Sequence, residues 1–205
     1  MPSLFLTCAV DVLYPAAGRA AVRVLEALGG RVRFPEDQTC CGQPWINSGD
    51  PGVGRRLAER YLRTFETAEA VVCLSSSCAD TVRSQYPRLF EGSPGLRERV
   101  EALGAKTYEF CEYLHSVLGV GELPAHPEPR STTYHGSCRT LRGVGLKGVA
   151  EGYLRQMLGD AFVPLPDLES CCGFGGTFSV KLPEISGRLM ADKLRAIDST
   201  GAEVV

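Results

Sequence analysis

Two stretches, QTCCGQP (38–44) and ESCCGFGG (169–176), each set two cysteines side by side ahead of a glycine. A disulfide between chain neighbours needs a strained tight turn, so the pairs suggest other chemistry. Each pair has a further cysteine upstream: Cys8 lies 32 residues before Cys40, and Cys138 lies 33 before Cys171. Thiolates are soft ligands suited to iron–sulfur clusters or zinc. One distant thiolate and an adjacent pair can surround one such centre, and the glycine lets the backbone approach it closely. In CCGFGG two more glycines can aim N–H groups at cluster sulfides, which tunes reduction potential. The fourth ligand of the first half is sought in VVCLSSSCAD (71–80). Cys78 lies beyond the apolar run, in a Ser-rich stretch expected as a loop. Cys73 lies on the run itself and reads as a small buried hydrophobe. Cys111, in TYEFCEYLHSVLG, falls on an amphipathic helical pattern and reads as core packing.

Zinc held by four cysteines is the competing metal reading, but its sites usually carry tight CxxC knuckles, and the sequence has none. The glycines of GFGGTFSVK invite a phosphate loop, yet no Gly-Lys-Ser/Thr follows them, so close packing explains them better. His135, beside Cys138, reads either as a ligand or proton donor or as a ring satisfied by backbone. His115 falls on a helix surface and His126 in a linker. Asn47, Ser48, Arg139 and Lys181 are candidates to meet an anionic substrate, with Lys181, just past the glycine turn, foremost.

These residues must be positioned by elements, and the elements recur. GVGRRLAERYLRTFETAEAVV (52–72) resembles ISGRLMADKLRAIDSTGAEVV (185–205); Gly54 pairs with Gly187, Ala58 with Ala191, Glu59 with Asp192 and Val71-Val72 with Val204-Val205, all at an offset of 133. Each unit reads as a short apolar strand ending near a cysteine (3–7; 132–135), then a helix (18–30; 148–160), the first with Val22, Leu25 and Leu28 at a spacing of three. A brief strand follows (31–35; 161–166), then the CCG turn and a second helix (53–66; 184–197). A last apolar run (68–76) completes the first unit. Strands alternating with helices predict an α/β fold built of two pseudo-symmetric βαβ-type repeats with mostly parallel sheets, the CCG turns at the C-terminal strand ends. Residues 1–118 form the first repeat, the breaker-rich 119–131 a linker, and 132–205 the second repeat. The counterpart of Cys78 would fall near position 211, so the second repeat is expected to be incomplete and the 205 residues a piece of a longer protein.

The bulk numbers narrow the function. Net charge is −2, which leaves no broad basic surface for nucleic acid. No apolar stretch approaches a membrane span, and the N-terminal run is interrupted by Asp11, so the cytoplasm is the expected compartment. Thiols stay reduced there, and nine cysteines, an odd count, point to metal or redox chemistry rather than a disulfide framework.

The pattern C–(31)–CCG–(35)–C, with LFLTCAVDVLYP, FPEDQTCCGQPWINSG and CCGFGGTFSVKLPEIS, resembles the CCG-domain, or cysteine-rich-domain, family, its lactate-utilization members in particular. That family includes the CCG-containing polypeptide of heterodisulfide reductase and the iron–sulfur subunit of glycolate oxidase. The resemblance covers nearly the whole chain. It implies a cytoplasmic iron–sulfur protein, an electron-transfer subunit working with partner proteins in a complex that oxidises L-lactate or a related 2-hydroxy acid such as glycolate. It implies a [4Fe–4S]-type cluster, one or two per full chain, held by Cys8, Cys40, Cys41 and Cys78 and by Cys138, Cys171 and Cys172. Heterodisulfide-reductase relatives end this element in CxxC and hold a non-cubane cluster with a fifth cysteine. Here Ser75 stands in place of that cysteine, which favours four-thiolate ligation and leaves Cys73 as the substitute fifth sulfur. Two other readings stay open: a thiol–disulfide redox enzyme like heterodisulfide reductase, and a zinc-stabilised scaffold without enzymatic activity.

Overall fold

The computed structural model describes residues 1–126 and 130–205. Residues 127–129, within the expected 119–131 linker, lie outside the described residues. The described chain separates into two compact units, Met1–Tyr113 and Leu114–Val205.

In the first unit, β1 (Ser3–Phe5), β2 (Val71–Cys73) and β3 (Thr107–Glu109) make a parallel sheet in the order β1-β2-β3. Ser3 registers with Val71 and Val71 with Thr107; Phe5 registers with Cys73 and Cys73 with Glu109. β1 and β2 are buried at every position, as continuous apolar runs in parallel sheets should be. The free edge of β1 takes one more parallel bridge, Ser3 to Arg33. There the Leu4 N–H donates to Arg33 O at 2.8 Å and the Arg33 N–H to Pro2 O at 2.9 Å. The strand expected over 31–35 is therefore a single bridge, because Pro35 has no N–H to carry the ladder on.

Helices follow each strand. α1 (Cys8–Leu13) starts two residues past β1, and α2 (Pro15–Ala27) starts on a proline and buries Gly18, Ala21 and Leu25 on one face. α3 (Gln43–Ser48) leads to α4 (Pro51–Phe65). Pro51 opens α4, and the Asp50 carboxylate caps it by accepting from the Val53 N–H at 3.0 Å. Gly54, Ala58, Tyr61, Leu62 and Phe65 form its buried stripe. That stripe meets Phe5: ring centroids lie 5.0 Å apart for Phe5–Tyr61 and 5.6 Å for Phe5–Phe65. After β2 the chain runs through α5 (Ser76–Asp80), a π-helical turn over Thr81–Gln85, α6 (Tyr86–Leu89) and α7 (Pro94–Ala105) before β3 and the short α8 (Phe110–Glu112). Cys78 thus sits inside a helix and not in the Ser-rich loop expected. Ser75 holds the extended conformation of an N-cap, the position serine favours.

In the second unit, Thr132 bridges Phe162 on one side and Val204 on the other, both parallel. The Thr132 N–H donates to Ala161 O at 2.7 Å, the Val163 N–H to Thr132 O at 2.8 Å and the Thr133 N–H to Val204 O at 2.9 Å. The strands expected at 132–135 and 161–166 are single bridges here; Pro164 and Pro166 cannot donate to a ladder. The helices are α9 (Val149–Leu158), α10 (Thr177–Lys181) and α11 (Pro183–Asp198), with a π-helical turn over Arg139–Gly143.

Candidate metal centre

Three connections converge at the C-terminal edge of the first sheet, where α/β folds place their sites. Cys8 is the first residue of α1, directly past β1. Cys40 and Cys41 end the loop that leaves the Arg33 bridge. Cys78 lies in α5, past β2. Their sulfurs meet: Cys8 Sγ lies 3.7 Å from Cys40 Sγ, and Cys41 Sγ 3.3 Å from Cys78 Sγ. Cys73 closes β2, fully buried, its thiol donating to Ser75 O at 3.2 Å. All nine cysteines are free.

The CCG turn needs its glycine. Gly42 has φ +86°, a conformation costly for any residue with a Cβ. It turns its N–H onto Cys40 Sγ at 3.4 Å. Gly173 repeats this in the second unit, with φ +79° and its N–H 3.4 Å from Cys171 Sγ. Side chains that the spacing did not single out hold the first turn. The Gln38 amide joins loop to strand: its Oε1 accepts from the Leu6 N–H at 2.8 Å, and its Nε2 donates to Pro35 O at 2.8 Å. The Tyr86 hydroxyl, fully buried, donates to Cys41 O at 2.8 Å. Arg60 on α4 donates twice to Asp37 O, at 3.1 and 2.9 Å. At the offset of 133 stands Lys193, whose Nζ donates to Asp167 O at 3.0 Å and Leu168 O at 3.2 Å. A cation on the following helix thus grips the loop before the CCG in each unit. The 133-residue offset carries that signal; nothing local marks Gln38 or Tyr86.

Removing the Tyr86 hydroxyl alone leaves the Cys41 carbonyl buried without its donor, at a cost of about 1–3 kcal/mol. Tyr86→Phe is expected to fold but to hold metal several-fold more weakly at the first unit. Competition with a chelator measures it, and affinity equal to the parent would remove Tyr86 from the site.

The four thiols hold one another in the protonated form. Burial, then the charge and thiol of Cys40, raise Cys8. The hydrogen bond with the Cys41 thiol, then burial, raise Cys40 strongly. The bond from Cys40 pulls Cys41 down, but its contact with Cys78 and its burial outweigh that and push it up to about 12. The bond with Cys41 lowers Cys78, and its contact with Cys73 and burial raise it further than that. Sulfurs packed this closely cannot all ionise without a cation among them. A metal centre supplies that charge, and its binding would release the protons. The donor set fits such a group: four soft sulfurs, and next to Cys8 in the chain the buried Thr7 Oγ1, without a hydrogen-bond partner among the described residues. Among those residues no three or more His, Cys, Asp or Glu side chains already stand spaced as around an ion. The thiols lie in pairwise contact instead.

In the second unit Cys138 and Cys171 are exposed and Cys172 is half-buried; no sulfur–sulfur hydrogen bond joins them among the described residues. His135 is half-buried and its Nδ1 has no partner among the described residues; burial, then the charge of Lys193, lower its pKa and keep it neutral. Asn47, Ser48 and Lys181 are exposed, and Ser48 donates to Pro44 O at 2.6 Å. Arg139 opens the π-helical turn at Cys138. His115 is exposed with its ring 6.4 Å from that of Tyr153, and His126 donates its backbone N–H to Met157 O at 2.7 Å. A depression of about 480 Å³ lined by Arg83, Glu101, Gly104, Ala105, Tyr108 and Glu112 contains no cysteine. Its Arg83 is held by Thr107 O at 2.7 Å and Glu112 at 2.6 Å. No helix among the described residues is long and apolar enough to cross a membrane.

Cys111 is set apart from the thiol cluster. It sits half-buried in α8, its N–H donating to Glu109 Oε2 at 2.7 Å. Burial, then the Glu109 charge, push its thiol up to about 12 from 9.0. A raised thiol pKa leaves less thiolate at any pH below it, on the order of a thousandfold less for three units. Alkylation of Cys111 in metal-free protein should therefore be about that much slower than of free cysteine at pH 8. It should still be accelerating about tenfold per pH unit near pH 10, where free cysteine has levelled off. Mass-resolved iodoacetamide labelling reads both; a plateau near pH 9 would contradict the environment described.

Comparison with known proteins agrees with this arrangement. The family model described as CCG, cysteine-rich domain, matches residues 3–83 and again 132–205. Similar proteins are "Lactate utilization protein A" from Exiguobacterium sp., 42% identical over 99% of this chain and 83% of the relative, and from Bacillus licheniformis, 42% over 99% and 84%. The protein of that name from Halalkalibacterium halodurans is 43% identical over 99% and 82%. The two matched segments contain both CCG turns, and with them the sulfurs gathered at the sheet edge: the chain belongs to the CCG cysteine-rich domain family.

Proposed function

We propose that this chain is an iron–sulfur subunit of a lactate-utilization system, passing electrons for partner proteins that oxidise L-lactate or a related 2-hydroxy acid. One observation carries the metal part: Cys8, Cys40, Cys41 and Cys78 meet at one strand edge and suppress one another's ionisation. The relatives' name carries the metabolic part. In this reading the four thiolates hold a [4Fe–4S]-type cluster, which when bound supplies one-electron exchange. Gly42 aims its N–H at Cys40 Sγ, and Tyr86 fixes the Cys41 backbone. The chain is a duplication, with repeats at 1–118 and 132–205 about a linker. Cys138, Cys171 and Cys172 are the corresponding ligands of a second centre. In this reading the protein works in the cytoplasm, where thiols stay reduced.

A second reading has its own observation. Tetrahedral zinc with Zn–S bonds of ≈ 2.3 Å sets its sulfurs about 3.8 Å apart, close to the 3.7 Å between Cys8 and Cys40. Metal analysis separates the two. Protein purified without oxygen is expected to be brown, to carry iron and acid-labile sulfide, and to bleach reversibly with dithionite. Stoichiometric zinc and no redox-active absorbance would replace the iron–sulfur reading with a structural one.

A further inference from the structure

We infer that Cys8 and Cys40 form a reversible, peroxide-driven disulfide that closes the first unit to metal. This goes beyond the iron–sulfur reading: it concerns the chain before a centre is loaded and holds for iron or zinc alike. Cys8 Sγ and Cys40 Sγ are in contact at 3.7 Å, across 32 residues of chain. A disulfide is about 2.0 Å long, so the two sulfurs must close by about 1.7 Å. Little in the packing opposes that movement. Cys8 is the first residue of the short α1, a helix with no fully buried residue, and Cys40 lies in a loop.

Access separates this pair from the other thiols. Cys8 is exposed, so a small peroxide meets it from solvent. Cys41 and Cys78 also touch, at 3.3 Å, but they are only 2% and 8% exposed. Cys138 and Cys171 are exposed too, yet no sulfur–sulfur hydrogen bond joins either to a second thiol among the described residues. Cys41 is the other sulfur beside Cys40, but a disulfide between chain neighbours needs a strained turn. The Gly42 N–H and the Tyr86 hydroxyl already hold that turn as it stands. An accessible thiol next to a resolving one is the arrangement of a redox-responsive cysteine pair. One peroxide balances the chemistry. The Cys8 sulfur attacks the O–O bond; an S–O bond forms, the O–O bond breaks and water leaves, giving the sulfenic acid. The Cys40 sulfur then attacks the Cys8 sulfur; the S–S bond forms, the S–O bond breaks, and a second water carries off the Cys40 proton. Two electrons have passed from the two sulfurs to the peroxide. Burial, then Cys40, raise the Cys8 thiol, which slows the first step and leaves the choice of partner unchanged. The second step joins atoms already in contact, so the sulfenic acid does not accumulate. The closed pair leaves Cys41 and Cys78 alone in the first unit, too few thiolates for a zinc or cluster site. A thiol reductant reopens it through a mixed disulfide.

The full chain, reduced and freed of metal by anaerobic chelation, tests this with hydrogen peroxide. At an equimolar dose, peptide mapping without reduction should find Cys8 joined to Cys40 as the major product. Cys41 and Cys78 should still alkylate once that protein is unfolded. The part of the cobalt(II)–thiolate absorbance that Cys41→Ser lacks should be lost on oxidation and restored by dithiothreitol. In Cys40→Ser, dimedone should trap several-fold more sulfenic acid on Cys8 than in the parent. A Cys40–Cys41 bond as the major product overturns the inference, as does a Cys8 carried on to sulfinic acid or left unreacted. Cobalt uptake unchanged by the Cys8–Cys40 bond overturns it too, and so does equal dimedone labelling of parent and Cys40→Ser. Each of these outcomes leaves the iron–sulfur reading standing, because iron and sulfide analysis decides that reading separately.

Discussion

Cys41→Ser is expected to lose the iron and sulfide of the first unit, while Cys111→Ser retains them. Cys41 is the most connected of the four sulfurs: 2% exposed, 3.3 Å from Cys78 Sγ, hydrogen-bonded to Cys40 and anchored by Tyr86 through its carbonyl. Serine is nearly the same size, so the turn can close around it. Its oxygen is a hard donor that does not ionise in this environment, and the site loses a soft thiolate. Disturbing even an outer partner of a metal ligand typically costs 10–100-fold in affinity, so loss of the ligand itself should exceed about 100-fold. Cys111 sits in α8 with its own backbone partner, and serine there removes only a little packing. Iron and sulfide per chain, measured on anaerobic protein, decide it: equal content in the two variants would mean the ligand assignment is wrong. Unchanged thermal stability of the metal-free variants would exclude unfolding as the cause.

The approach of the four first-unit sulfurs was legible because residue type and spacing recur together, as a shared ligand set would require. A cysteine 32 residues before a CC pair and another 37 after it have few other reasons to recur beside glycine. α2, α4 and α11 were readable for a different reason: each starts on proline, and α2 and α4 carry apolar residues at helical spacing. The stretch from Ser76 to Glu109 was not. It holds four short helical segments and β3, whose Tyr108 and Glu109 are only half-buried at the sheet edge, so neither a period of 3.6 nor of 2 runs long enough to register. Cys78 was misplaced into a loop by its serines, which serve here as helix N-terminal residues. Tyr86 reaches the Cys41 carbonyl across 45 residues of chain, and Gln38 reaches the Leu6 N–H across 32. Contacts of that range depend on how the elements pack, and packing leaves no local pattern.

The second CCG turn should be far less tolerant of a side chain than the first, and Gly173→Ala should be the most disruptive single methyl in the second unit. Both glycines have positive φ, +86° at Gly42 and +79° at Gly173, so alanine at either incurs a left-handed strain of about 1–2 kcal/mol. They differ in what the new Cβ meets. At Gly42 it would touch the Leu57 side chain at 3.3 Å and the Gly54 Cα at 3.5 Å, and a leucine can shift by tenths of an ångström. At Gly173 it would fall 2.3 Å from Ser186 O and 3.0 Å from Met190 N, both backbone atoms of α11. A helix backbone cannot give way locally, so the turn must lift off α11. That breaks the Ser186 hydroxyl's bond to Gly173 O, now 2.8 Å, and pulls at the Lys193 grip on Asp167 and Leu168. Overpacking of this kind costs ~1–3 kcal/mol beyond the strain, for a total on the order of 4 kcal/mol against ~1–2 kcal/mol at Gly42. Hydrogen exchange resolves the two units. Gly173→Ala should raise exchange across α11 and the preceding loop by two or more orders of magnitude, with the first sheet unchanged. Gly42→Ala should raise exchange around α3 and α4 by roughly tenfold. Equal increases in the two variants would mean that the second CCG turn is not seated on α11 as described.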